Sequence, residues 1–224
     1  MSLLVVFDLD GTLVDSRRDI VCATNFALTQ LGRGALPDDV VTGFIGDGAR
    51  TLMSRATAIE EADPSLEPYL SAFLDYYSDH ALVHSRPLPG ALAVLATLGE
   101  GLPIALCTNK PRRTTLRVLA GLGMRACFTA IEAGGDRPQK KPHPAPLLAL
   151  AERLGFSPGR VVMVGDGPQD VACARAAGAR SVGVLGNIAT PTALRAAEPD
   201  ALLANLGELP ALLHRWRAQA TSKW

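Results

Sequence analysis

The chain has 224 residues, 48% of them apolar but only 5% aromatic. It is long enough for one large domain, or for a core with an insert, packed mainly from Leu, Val and Ala. Lys plus Arg (22) balances Asp plus Glu (22) with no basic block, which excludes charge-driven binding to nucleic acid or an acidic membrane surface. Cys22, Cys107, Cys127 and Cys173 show no Cys-x-x-Cys spacing, the N-terminus lacks the basic flank of a leader, and no apolar run approaches the roughly 20 residues of a membrane span; a soluble, cytoplasmic protein with small buried thiols is expected.

Leu3 to Phe7 is a continuous apolar run, as expected of a strand covered on both faces in the middle of a parallel sheet. It leads into Asp8, Asp10 and Gly11. Strand alternation would point both carboxylates the same way. At about 4 Å they would repel by roughly 4 kcal/mol at an effective dielectric of 20, and a divalent cation would remove that cost. Ser16-Arg17-Arg18-Asp19 fits a capping box, and Ile20, Ala23, Ala27, Leu28 and Leu31 follow at helical spacing. A short helix is expected from Pro37-Asp38-Asp39. Another is expected after the flexible turn Ile45-Gly46-Asp47-Gly48, through Leu52, Met53 and Ala56. A third, opened by Pro64-Ser65, carries Leu70, Phe73, Leu74 and Tyr77 on one face. No strand is read between residues 15 and 85, so this segment looks like an all-helical insert.

From Leu92 onward helices and strands alternate. The strands are Pro103–Cys107, Phe128–Glu132, Arg160–Val164 and Ser181–Leu185, and a last helix spans about Leu209 to Ala218. Such alternation predicts an α/β fold, a doubly wound parallel sheet with its ligands beyond the carboxyl ends of the strands. Polar residues gather at those ends. Thr108 and Asn109 can donate to phosphate oxygens or cap the next helix, and Lys110 can steer an anion. Lys141 lies in a Pro/Gly-rich loop and can place a compact positive charge on a phosphoryl group. Asp166 follows a strand, with Asp170 one helical turn later; carboxylates, waters and phosphate oxygens suit Mg²⁺. His80 and His84 are spaced four apart on a predicted helix, but without an intervening Glu or a third ligand they make no zinc motif.

Taken together, the string Asp8-Leu9-Asp10-Gly11-Thr12-Leu13-Val14-Asp15-Ser16, then Thr108, Lys141 and Asp166/Asp170, resembles the four motifs of the haloacid dehalogenase-like superfamily in order and spacing. The resemblance covers nearly the whole chain. It implies a Rossmann-like core of residues 1–14 and 86–224 with a helical cap at 15–85. It also implies a Mg²⁺-dependent phosphatase with Asp8 as nucleophile and Asp10 as general acid/base. Thr108 and Lys141 would hold the phosphoryl group. Mg²⁺ would lie on Asp8, the Asp10 carbonyl and Asp166, with Asp170 orienting a bound water or Lys141. One departure is Gly167, where many relatives carry Ser.

The stretches Ile45–Arg50, Thr108-Asn109-Lys110-Pro111 and Gly134–Pro144 look like phosphoglycolate phosphatases within that superfamily. They imply a small phosphorylated metabolite, with Thr12, Asn109, Gly46 and Arg50 at the substrate and Arg50 on its carboxylate, in a monomer or homodimer. A sugar-phosphate mutase would use the same motifs. A dehalogenase would not need Asp10 and Asp166, and a non-catalytic binding protein would not need the full set.

Overall fold

The computed structural model describes residues 2–221. The chain opens with β1 (Leu4–Phe7) and β2 (Val14–Asp15). Four helices follow: α1 (Arg17–Gln30), α2 (Asp38–Thr42), α3 (Ala49–Thr57) and α4 (Glu67–His80). The rest alternates: β3 (Arg86–Pro87), α5 (Ala91–Gly99), β4 (Ile104–Pro111), α6 (Arg112–Gly121), β5 (Ala130–Gly134), α7 (Ala145–Arg153) and β6 (Val161–Gly165). It closes with α8 (Pro168–Ala177), β7 (Arg180–Val184), α9 (Pro191–Ala196), β8 (Ala201–Leu203) and α10 (Leu209–Thr221).

Six strands form one parallel sheet in the order β5-β4-β1-β6-β7-β8. β1 is central, and all four of its residues are fully buried. Its alternation feeds two layers. Val5 and Phe7 join the apolar cluster of α5, α6 and α10, while Leu4 and Val6 join that of α7 and α8. The first cluster continues into Leu52, Met53, Phe73 and Tyr77 of α3 and α4. Because β4 and β6 flank β1 on opposite sides, the strand order reverses at β1. In such sheets the crevice at that reversal, beyond the carboxyl ends, is where ligands bind.

Helices α1–α4 lie between β2 and β3, which pair antiparallel as a two-rung stem, Val14 with Pro87 and Asp15 with Arg86. The expected capping box at the start of α1 does not form. Ser16 Oγ turns to Asp10, and the buried Asp19 carboxylate accepts from the His84 N–H and from both the N–H and hydroxyl of Ser85, tying the outgoing and returning chains together. The cross-chain pairing offers Asp19 three donors where a capping box offers one. α4 ends at His80, so His84 is not helical and the two histidines do not share a face. β4 runs on past Cys107 to Pro111 with a register break, so Thr108, Asn109 and Lys110 are strand residues rather than the start of a helix. α9 and β8, short and weakly patterned, were not anticipated. No helix among the described residues is long and apolar enough to cross a membrane.

Candidate active site

The carboxyl ends of β1, β4 and β6 deliver the polar residues. Asp8 leaves β1 with its N–H bonded to the Val164 carbonyl at 2.9 Å, which seats it against β6. Asp166 leaves β6 itself. Between them the chain turns at Gly11, where φ is +82° and a Cβ would stand 2.3 Å from Asp166 Oδ2. Only glycine tolerates both that backbone and that approach.

Asp8, Asp166 and Asp170 are all buried, each offering a carboxylate oxygen within 4.8 Å of the others. Lys141 lies among them, with Nζ 2.7 Å from Asp8 Oδ1 and 2.6 Å from Asp170 Oδ1, its side chain 1% exposed. Asp170 spends its second oxygen on the Gly167 N–H at 3.1 Å, so both of its oxygens are engaged in holding the lysine and the start of α8. Thr12 donates to Asp166 Oδ1 at 3.0 Å and thereby positions that carboxylate.

Three buried carboxylates cluster with one ammonium, and the imbalance shows at Asp8 and Asp166. Burial raises Asp8 to about 6, opposed by Lys141 and reinforced by Asp170. Burial, then the charges of Asp8 and Asp170, push Asp166 up to about 8. Burial pulls Lys141 down, but Asp170 and Asp8 outweigh it and hold the ammonium well above the usual lysine range. A cluster of hard oxygen donors with surplus negative charge fits a divalent cation such as Mg²⁺. Asp170 is tied to Lys141 by an ion pair, whereas Asp166, among the described residues, accepts only from the neutral Thr12 hydroxyl and, at 3.4 Å, the Ala189 N–H, so Asp8 and Asp166 are the residues that would ligate it.

Asp10 belongs to a separate network. Its Oδ1 accepts from Ser16 Oγ at 2.5 Å and from Lys110 Nζ at 2.9 Å. Asp8 and Asp10 still line the same cavity, and Asp8 has Asp166 and Asp170 as buried neighbours besides. Lys110 is buried, hydrogen-bonds to the Tyr77 hydroxyl of α4 and lies 4.5 Å from the centre of that ring. Burial, then Asp10 and Asp19, push the Tyr77 phenol well above its ordinary range, so it stays a hydroxyl.

A small cavity of about 40 Å³ lies between these groups and the helices above. Asp8, Asp10, Thr108 and Lys110 supply its polar wall, and Ile45, Leu52, Phe73 and Tyr77 its apolar one. Gly46 also lines it, and its carbonyl accepts from Asn109 Nδ2 at 3.0 Å. Asn109 further exchanges two 2.9 Å hydrogen bonds with the backbone of Lys141, so its amide joins the Gly46 loop to the lysine loop rather than standing free. Arg50 is not brought to the cavity. Its guanidinium pairs with Glu67 at 2.5 Å and with the Glu61 carbonyl at 2.9 Å on the exposed side of α3. At Gly167 a Cβ would stand 2.2 Å from Gln169 Nε2, so the glutamine side chain fills the space that a side chain at 167 would need. Sequence reasoning missed Tyr77 and Ser16 as polar partners, since each also fitted a role in helix packing or capping.

Known proteins resemble this chain over most of its length. A family model described as haloacid dehalogenase-like hydrolase matches residues 5–184. The phosphoglycolate phosphatase of Neisseria meningitidis serogroup A is 40% identical over 213 residues, 92% of this chain and 91% of that one. The phosphoglycolate phosphatase of Agrobacterium fabrum is 33% identical over 220 residues, 96% and 94% of the two chains. The crystal structure of a predicted phosphoglycolate phosphatase from Haemophilus somnus 129pt superposes with a TM-score of 0.87 at 29% identity, covering 95% of this chain and 98% of that one.

Proposed function

We propose, on the premise that this chain belongs to the haloacid dehalogenase-like hydrolases and is a phosphoric monoester hydrolase, that it cleaves a small phosphomonoester, 2-phosphoglycolate first among them, through an aspartyl phosphate on Asp8. The observation that carries this reading is the buried set of Asp8, Asp166, Asp170 and Lys141 at the reversal point of the sheet. The names of the relatives support the substrate.

Lys141 occupies Asp8 Oδ1, which leaves Oδ2 to attack phosphorus. With Asp8 raised only to about 6, its carboxylate is the major form at neutral pH, as a nucleophile requires. Lys141 and the Thr108 hydroxyl bind the oxygens of the transferring phosphoryl group. Asp10, at the cavity and outside the carboxylate cluster, gives its proton to the leaving alkoxide. It then takes one from the water that hydrolyses the acyl phosphate. Mg²⁺ bound at Asp8 and Asp166, with the Asp10 carbonyl, would offset charge on the phosphoryl oxygens. Residues 15–85 act as a cap over the cavity, excluding bulk water during the reaction.

The test is phosphate release from a panel of small phosphomonoesters, with Mg²⁺ and with chelator. The expected result is Mg²⁺-dependent free phosphate, fastest from 2-phosphoglycolate. Isomerised sugar phosphate in place of free phosphate, or release indifferent to Mg²⁺, would overturn the reading.

A further inference from the structure

We propose that Lys110, clamped between Asp10 and the cap residue Tyr77, is the specificity-determining residue that reads a negative charge on the leaving-group side of the substrate. The inference rests on the phosphatase reading above and deepens it.

Among the residues that line the cavity, Lys110 is the one cation. Lys141 serves the other side of Asp8 and is committed to Asp8 and Asp170. Arg50, the charged residue that the sequence put forward for this task, is engaged with Glu67 and Glu61 and stands outside the cavity. Arg55 lines the wider neighbouring pocket but is paired with Asp47 at 2.6 Å. An acidic leaving group held in this cavity would therefore meet Lys110 or remain unpaired in a wall of Ile, Leu and Phe side chains, which is costly.

The lysine is built to be fixed in place. Its side chain is 1% exposed, against 13% for Asp10, so it lies deeper than the carboxylate it pairs with. The ammonium donates a hydrogen bond to the Tyr77 phenol oxygen and lies 4.5 Å from the centre of that ring. An ammonium has three donors. Asp10 and Tyr77 take two, leaving one for a ligand. Tyr77 comes from α4 and Lys110 from β4, so charge recognition depends on the cap being seated on the core. Tyr77 acts through Lys110 and is a positioning residue.

The alternative role for Lys110 is to neutralise Asp10 and nothing more. The two roles separate on a matched pair of substrates, 2-phosphoglycolate and 2-hydroxyethyl phosphate, which differ in a carboxylate against a neutral hydroxymethyl group. Wild type should favour the acid in kcat/KM. Lys110→Met keeps the length of the stem and removes the charge. It should slow both substrates by disturbing Asp10, and in addition collapse the preference for the acid by roughly 30-fold or more, chiefly through KM. Lys110→Arg should recover part of that preference. Tyr77→Phe, which keeps the ring and loses the hydroxyl, should reduce it by about 5-fold. Equal losses on both substrates in Lys110→Met, with the preference intact, would overturn the inference and leave the phosphatase reading standing. So would a wild type that hydrolyses both equally well. Absence of Mg²⁺-dependent phosphate release from every ester would remove the phosphatase reading and the inference with it.

Discussion

Replacing Asp166 by Asn should stabilise the metal-free protein while destroying its response to Mg²⁺. Folded Asp166 protonates near pH 8, because it is buried beside Asp8 and Asp170, whereas an unhindered Asp does so at 3.8. Between those values the folded chain holds a proton that the unfolded chain has lost, so stability falls as pH rises through this window and levels off above about 8. At about 1.36 kcal/mol per pH unit the window amounts to roughly 5 kcal/mol near neutral pH. An amide is itself a buried polar group and keeps part of that cost, so a gain of about 2–4 kcal/mol is expected, or about 5–15 °C in Tm for a chain of this size. The assay is thermal unfolding of wild type and Asp166→Asn in chelator at about pH 7.5 and about pH 5, then with saturating Mg²⁺. The variant should melt higher in chelator at the upper pH, and most of that gap should close at the lower one. Mg²⁺ should raise wild type by about 3 kcal/mol at a concentration 100 times its Kd, and the variant far less. A variant less stable than wild type in chelator at the upper pH, or an equal gain from Mg²⁺ in both, would refute the reasoning.

Asp10→Asn should cost more with alkyl phosphates than with aryl phosphates, because a good leaving group needs less help from an acid; steady-state rates on both classes check this, and equal losses count against Asp10 as the acid. Lys141→Met should lose about 3–5 kcal/mol of stability in chelator, read by denaturant unfolding, since Asp8 and Asp170 are left buried without their cation. Arg50→Ala should change kcat/KM for 2-phosphoglycolate by less than about 3-fold, because its partners are exposed cap residues; a selective loss on that substrate would restore Arg50 to the carboxylate.

The sheet was legible in the sequence because its strands are continuous apolar runs with a polar residue at each carboxyl end, and Leu3–Phe7 and Arg160–Val164 became β1 (Leu4–Phe7) and β6 (Val161–Gly165) to within a residue at each end. The short strands β2 and β3 were not, since two-residue rungs carry no period. At the site, the resemblance to four family motifs, rather than residue type alone, joined Asp8, Lys141, Asp166 and Asp170, and the fold brings these four side chains into one cluster. Which carboxylates face one another could not be read that way. It depends on the Asp8 N–H bond to the Val164 carbonyl and on the 2.3 Å approach at Gly11, both properties of the folded backbone. The family resemblance implied Asn109 and Thr12 at the substrate, and in the fold their donors go to Gly46, Lys141 and Asp166. Tyr77 showed only its apolar side in the helical pattern, while its hydroxyl end serves Lys110 across the cavity.

The most direct measurement of the central claim is the chemical state of Asp8 during turnover. Protein mixed with 2-phosphoglycolate and Mg²⁺, quenched in acid within a turnover and digested, should yield the peptide bearing Asp8 with one added phosphoryl group. That species should be absent in chelator and in Asp8→Asn, whose phosphate release should fall by more than about 100-fold while its fold persists. Undiminished phosphate release by Asp8→Asn, or steady turnover of wild type with no phosphorylated Asp8 at any quench time, would contradict an aspartyl-phosphate route through this residue.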